Sequence, residues 1–192
     1  GYDIQDDLNQ PKCRSLFIDY KIEENVEDKQ VARLLADGKV VARVEGRAEF
    51  GARALGNRSI LANPSDVNVV QFINEAIKNR DFWMPFALSV LEDHQNYSVY
   101  NPKDLKSPFM TIGFDSSTKN YDSFKAGTHP YDRTVRPQFV NKGHSPKYYN
   151  LISEFSNLTG IPALLNTSFN LHGEPIVNNV YDAMHTFSNS KL

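Results

Sequence analysis

The chain has 192 residues, 40% of them hydrophobic and 23% charged, with a formal net charge of −2. This size and balance favour one folded soluble domain with a proper core, and the charge supplies no overall field for a nucleic-acid partner. A single cysteine, Cys13, excludes an internal disulfide framework and a cysteine-rich zinc site, so a reducing, cytoplasmic setting is expected. No apolar run reaches the roughly 18 to 20 residues of a membrane helix. Gly1 opens the chain with neither a methionine nor a signal-peptide pattern, and the chain stops soon after a helix-like stretch at 183–187. We read it as a piece of a longer protein, with residues 1–24 as an unassigned lead-in and residues 25–192 as the domain.

In chain order, Ser15 to Tyr20 is expected as a strand. Residues 27–37 suit a helix with Val31, Leu34 and Leu35 on one face and Gly38 at its stop. Val40 to Val44 is β-branched and predicts a second strand. A loop rich in Gly and Arg follows from Gly46 to Arg58. Ser65 is a candidate N-cap for a helix with Val69, Phe72, Ile73, Ala76 and Ile77 at a 3.6-residue period. Phe86–Leu91 and Phe109–Phe114 are expected as strands, Asn96–Ser107 as a surface excursion and Asp115–Asp122 as a mobile loop. Thr134–Val140 suits another strand, with Pro137 favouring a sheet edge. Ser145-Pro146 predicts a helix start, Gly160 its C-cap, and Pro162–Leu165 a buried strand. A turn at 170–173 precedes a last helix near Tyr181. Several strand pairs lack a helical crossover, which argues for a mixed α/β sheet.

Four segments hold residues suited to anion chemistry. In the loop 46–58, three glycines allow close backbone approach and Arg47, Arg53 and Arg58 offer planar forks to phosphate or carboxylate. The spacing matches neither a Walker loop nor a Rossmann fingerprint, and a solvated turn is equally compatible; Phe50 and Leu55 tilt the reading toward a loop packed onto the body. Lys78 and Arg80 follow a helix end, where cations ordinarily complement the dipole. Against that, Phe82, Trp83, Pro85 and Phe86 form an apolar flank that would lower the local dielectric, Trp83 and Phe86 being read as core rather than a stacking surface. Arg136 shares a strand face with Thr134 and Gln138; turned inward it needs an anion, turned outward it needs nothing. Asn166 to Asn170 leaves a buried strand at its C-terminal end, a usual place for ligand contacts, though a polar turn accounts for it too.

The five histidines show no metal-ligand spacing, so no protein-held metal is expected, and His129 and His172 read as structural or exposed. No nucleophile elbow and no cysteine context supports covalent catalysis.

Taken together, GRAEFGARALGNRSILANPSD (46–66), IKNRDFWMPFALSVLED (77–93), THPYDRTVRPQ (128–138), YYNLISEFSNLTGIPALLNTSFNLHGEPIV (148–177) and YDAMHTF (181–187) resemble the C-terminal domain of the NodU/CmcH carbamoyltransferase family. The resemblance implies an α/β YrdC-like fold, a twisted mixed sheet with flanking helices, carrying a Lys-x-Arg and Ser-x-Asn tetrad at Lys78, Arg80, Ser168 and Asn170. It implies an enzyme domain that forms carbamoyladenylate from carbamoyl phosphate and ATP with Mg²⁺. A separate N-terminal transfer domain would then carbamoylate an acceptor hydroxyl, in the biosynthesis of a secondary metabolite or modified saccharide. By the same resemblance Arg53, Lys78 and Ser168 are the catalytic and carbamoyl phosphate-binding positions, and Arg80, Arg136, Asn166 and Asn170 the nucleotide-binding ones. The chain departs from the family pattern at Ala52, where proline is usual, and at Met84 and Leu88. The alternative is a YrdC-like module that binds RNA or nucleotide without carbamoyl chemistry; the net charge and the lack of a basic tract argue against it.

Overall fold

The computed structural model describes residues 2–78 and 84–192. Short helices α1 (Gln5–Leu8) and α2 (Pro11–Arg14) lead into α3 (Asp28–Ala36), β1 (Val41–Val44), β2 (Arg58–Ala62) and α4 (Asn68–Ile73). Next come β3 (Ala87–Leu91), β4 (Val99–Tyr100), β5 (Phe114–Ser116), β6 (Thr134–Val135) and β7 (Pro137–Val140). Helix α5 (Pro146–Thr159), β8 (Ala163–Ser168) and α6 (Val180–Ser188) complete the order. The main sheet runs β1-β2-β8-β3-β7, antiparallel except for the parallel β3–β7 pair, and β4-β5-β6 form a small antiparallel sheet. This is the mixed α/β, YrdC-like architecture expected from the sequence. Among the described residues no helix is long and apolar enough to cross a membrane.

The period of helix α5 predicts an apolar stripe of Tyr148, Leu151, Ile152, Phe155 and Leu158; the first four are buried against α3 and the sheet, and Leu158 in the last turn is exposed. Pro146 stands at its first turn, and Gly160 ends it with φ +76 and an N–H bond to Ser156 O. Ser145 occupies the cap position without a side-chain cap bond. β2, β3 and β7 are buried throughout, because sheet faces are covered on both sides.

Several local expectations give way to tertiary context. Ser15–Phe17 is a 3-10 turn, not a strand: Leu16 and Phe17 pack beside Ile4, Cys13 and Val180, Ile18 is exposed, and among the described residues no ladder partner lies alongside. Leu34 is exposed on α3, where Ala32 and Leu35 face the core. Helix α4 starts at Asn68 rather than beside Ser65, because Asp66 accepts the Asn68 N–H while Asn63 takes up Ser65. The chain turns at 108–110, where Met110 holds φ +56, and residues 111–113 are irregular, so only Phe114 of the expected strand enters a sheet. Asp115 and Ser116, expected in a mobile loop, pair in β5, and the expected surface excursion contains β4 and the buried Ser98 and Ser107. The run 134–140 breaks at Arg136, so that β6 joins the small sheet and β7 forms the edge of the large one.

The register of the main sheet puts Ser59, Ser168, Asn166, Ser89 and Gln138 on a single face, since Ser59 opposes Ser168 and Ser89 opposes both Leu164 and Gln138. The loop between β1 and β2 crosses this face. Its Gly56, at φ +115, lies on the Tyr148 ring so closely that an added Cβ would sit 2.3 Å from the ring carbon Cδ1. Gly56→Ala therefore meets both a steric and a conformational penalty. A loss of about 2–4 kcal/mol of unfolding free energy is expected in urea denaturation.

Candidate active site

The arginines of the 46–58 loop have three separate fates. Arg47 points outward, its side chain 80% exposed and 3.9 Å from Asp3. Arg58 is fully buried, and its guanidinium donates to the carbonyls of Tyr2, Glu45, Gly46, Asn57 and Asn178 at 2.8–3.2 Å. Burial lowers its pKa, opposed by the charges of Glu49, Asp3 and Glu45. Arg58 is thus an internal fastener that borders the first cleft with its guanidinium spent on carbonyls, whereas Arg53 is exposed and lines two adjoining hollows. Phe50, expected to help pack the loop down, is fully exposed. The loop is held instead by polar contacts, which form where backbone groups would otherwise be buried unpaired.

Those contacts come from the polar row on the sheet. Asn166 Nδ2 donates to Ala54 O (3.2 Å) and Ser89 Oγ (3.0 Å), Ser89 Oγ donates to Gln138 Oε1 (2.9 Å), and Gln138 Nε2 donates to Leu55 O (2.9 Å). Gly56 N–H donates to Ser59 Oγ (3.0 Å), and Arg43 donates to Gly56 O while stacking on Tyr148. Glu49 Oε1 accepts the N–H groups of Leu55, Asn57 and Arg58 at 2.6, 2.7 and 3.3 Å. Beneath the row, the buried Tyr148 hydroxyl faces Ser89 and Asn166 without a bond of normal geometry, and among the described residues Asn166 Oδ1 likewise has no hydrogen-bond partner. Desolvation raises the Tyr148 pKa far above the ordinary tyrosine range.

The second half of the site leaves β8. Lys78 ends a single π-helical turn, Asn74–Lys78, that prolongs α4, a distortion frequent at functional sites. Its side chain is 1% exposed, and Nζ donates to Ser168 Oγ (3.1 Å), Asn170 Oδ1 (2.7 Å) and Asn170 O (3.2 Å). Ser168 Oγ donates in turn to Asn170 Oδ1 at 2.6 Å. Asn170 Nδ2 braces the following turn through Leu171 O and Glu174 O.

A cleft of about 520 Å³ is lined by Arg53, Arg136, Asn166, Ser168 and Asn170, with Glu49, Met110 and Phe86 among its other walls. A second hollow of about 660 Å³ shares Arg53, Arg136 and Pro85–Ala87 with it and adds His129 and His172. His129 Nδ1 is 3.0 Å from Asp132, whose carboxyl is held below the usual range by the N–H and hydroxyl of Thr134, with His129 adding to the effect. Of the residues expected at the site, Arg53, Arg136, Asn166, Ser168 and Asn170 meet in one cleft, and Lys78 lies behind Ser168 and Asn170. Arg80, like Trp83, lies outside the described residues. Among the described residues no group of three or more His, Cys, Asp or Glu could hold a metal ion.

Sequence reasoning passed over Glu49, Ser89, Gln138 and Met110. The acid between the loop arginines and the serine within an apolar strand were usable signals, because a buried polar group needs a partner. Met110 carried none: its left-handed backbone is decided by the turn around it.

The fold and the cleft together define a mixed α/β domain whose cleft is lined by arginine, serine and asparagine side chains. The chain belongs to the carbamoyltransferase C-terminus family, whose model matches residues 32–192. Nodulation protein NolNO of Sinorhizobium fredii is 42% identical over 164 residues, covering 85% of this chain and 24% of that protein. Nodulation protein NolO of Bradyrhizobium diazoefficiens is 41% identical over 159 residues, 82% of this chain and 29% of that protein. An uncharacterized Methanocaldococcus jannaschii protein is 39% identical over 194 residues, 97% of this chain and 37% of its own length. The chain therefore spans between about a quarter and two fifths of these relatives. Crystal structures of full-length HypF, in a phosphate- and nucleotide-bound form, and of T. kodakarensis HypF share the fold. Their TM-scores are 0.59 and 0.56 at 15% and 16% identity, over 94% and 88% of this chain and 25% and 20% of theirs.

Replacing Arg58 by alanine strips buried carbonyls of their donors in several segments at once. A loss of about 3–5 kcal/mol is expected by chemical denaturation, and Arg58→Lys should restore little of it because a point charge cannot reproduce the fork.

Proposed function

We propose that this chain is the part of a carbamoyltransferase that forms carbamoyladenylate from carbamoyl phosphate and ATP, for delivery to an acceptor hydroxyl by an N-terminal transfer domain. The observation that carries the reading is the meeting of Arg53 and Arg136, from separate segments, on the walls of both adjoining hollows, with Ser168 and Asn170 lining the first of them. Two phosphate-bearing substrates bring several negative charges together, and shared arginines neutralise both at once. Family membership supports the carbamoyl chemistry.

In this reaction water splits carbamoyl phosphate into carbamate and phosphate. A carbamate oxygen then bonds to the α-phosphorus of ATP, and the bond to the β-phosphate bridging oxygen breaks to release pyrophosphate. The side chains supply position and charge rather than covalent help. Arg53, Ser168 and, from behind, Lys78 hold the carbamoyl phosphate end. Arg136, Asn166, Asn170 and Arg80 belong to the nucleotide end. A magnesium ion would enter on the nucleotide, its ligands mainly phosphate oxygens and water, as this ion commonly takes. In the longer protein the acceptor is a hydroxyl of a secondary metabolite or a modified saccharide.

Pyrophosphate release measured with ATP and Mg²⁺ should require carbamoyl phosphate. A folded chain that binds neither substrate by calorimetry sinks the reading. Arg53→Ala and Arg136→Ala should each weaken substrate binding about 10- to 100-fold, the loss expected for one charge-assisted contact, with the unfolding midpoint little changed.

A further inference from the structure

We infer that Glu49 is a positioning residue that sets where Arg53 stands, so that the anion affinity of the cleft depends on a carboxylate in its own wall. The inference rests on the reading of the cleft as an anion site. A carboxylate lining such a cleft is at first sight misplaced, because it repels what Arg53 attracts. Its hydrogen bonds account for it. Glu49 Oε1 gathers the N–H groups of Leu55 (2.6 Å), Asn57 (2.7 Å) and Arg58 (3.3 Å), and a charged acceptor makes such bonds about twice as strong as a neutral one.

These bonds close a loop whose ends are fixed and whose tip is not. Residues 54–56 are bolted to the sheet through Asn166, Gln138 and Ser59. Residues 50–53 are exposed, with Gly51 at φ +128. Arg53 is the last residue of this tip, next to the anchored Ala54. On the other side of the tip Arg47 and Ala48 are held through Asn57 Nδ2 and Tyr2 O, and Glu49 is the fastened residue next to the tip, its side chain reaching across to the anchored end. Releasing that clasp frees the tip from one side. Arg53 then occupies its cleft-facing position for a smaller fraction of the time, and apparent affinity falls by that fraction. The effect of Glu49 on binding is therefore exerted through Arg53.

The test is a double-mutant cycle on this chain, with pyrophosphate titrated by calorimetry into wild type, Glu49→Ala, Arg53→Ala and the double variant, and unfolding midpoints recorded alongside. Glu49→Ala should weaken pyrophosphate about 10-fold, while the double variant binds no more weakly than Arg53→Ala alone. Glu49→Gln, which keeps an acceptor oxygen, should fall between wild type and Glu49→Ala, and the same cycle is run with it if Glu49→Ala does not fold. Losses that simply add, or unchanged or tighter binding in a folded Glu49 variant, overturn the inference. So does rapid hydrogen exchange at the wild-type Leu55 and Asn57 amides, which the clasp should protect. Wild type that binds pyrophosphate but not carbamoyl phosphate removes the proposed reaction and leaves this inference standing; wild type that binds neither removes both.

Discussion

Carbonyl groups from distant parts of the chain converge on the guanidinium of Arg58: Tyr2 near the start, Glu45 and Gly46 where β1 ends, Asn57 beside it, and Asn178 before α6. None of these segments shares a ladder with all the others, and several turn sharply. A fully buried arginine with its planar fork of donors satisfies them together, where separate side chains would each have cost ordering entropy. The N-terminal segment is drawn in by the same junction. It is fastened again by Asp7, whose carboxylate accepts the Val180 N–H at the start of α6 and the Tyr2 hydroxyl.

From this junction the 46–58 loop runs over a row of buried polar side chains rather than over an apolar patch. Burying Ser89, Gln138 and Asn166 costs solvation, and the cost is offset only because each finds a partner in the loop or in the row. Such a surface holds the loop in one register, since a shift by one residue would strand several donors at once. Apolar packing would have tolerated the slip. Asn166 Oδ1, without a hydrogen-bond partner among the described residues, belongs to a residue that is part of both the row and the cleft wall.

The cleft owes its two hollows to a single broken strand. At Arg136 the chain passes from the small sheet to the edge of the large one, and the residue at the break is turned toward both hollows instead of into a sheet face. A regular strand from 134 to 140 would have set Arg136 on the same face as Gln138, which is buried under the loop. The change of sheet converts a position with an ambiguous orientation into a cleft wall. Relatives of this family extend well beyond the region matched here.

Much of this was legible in the residues. The period of α5, its proline start and glycine stop, the apolar runs of β3 and β8, and the family pattern that marks Arg53, Arg136, Ser168 and Asn170 are local or linear properties, and they survive in the fold. Sequence alone left open which of three loop arginines reaches the cleft, because Arg47, Arg53 and Arg58 differ only in what lies across from them. It misread Ser15–Tyr20, where Leu16 and Phe17 pack beside the N-terminal helices and Val180, and residues 109–113, where Phe109 is exposed and Met110 takes a left-handed backbone. It also gave Glu49 no role, since the amides that the carboxylate gathers come together only once the loop has closed. Pattern and propensity act over a few residues; a side chain's direction and an acceptor's donors are decided by what the rest of the chain brings alongside.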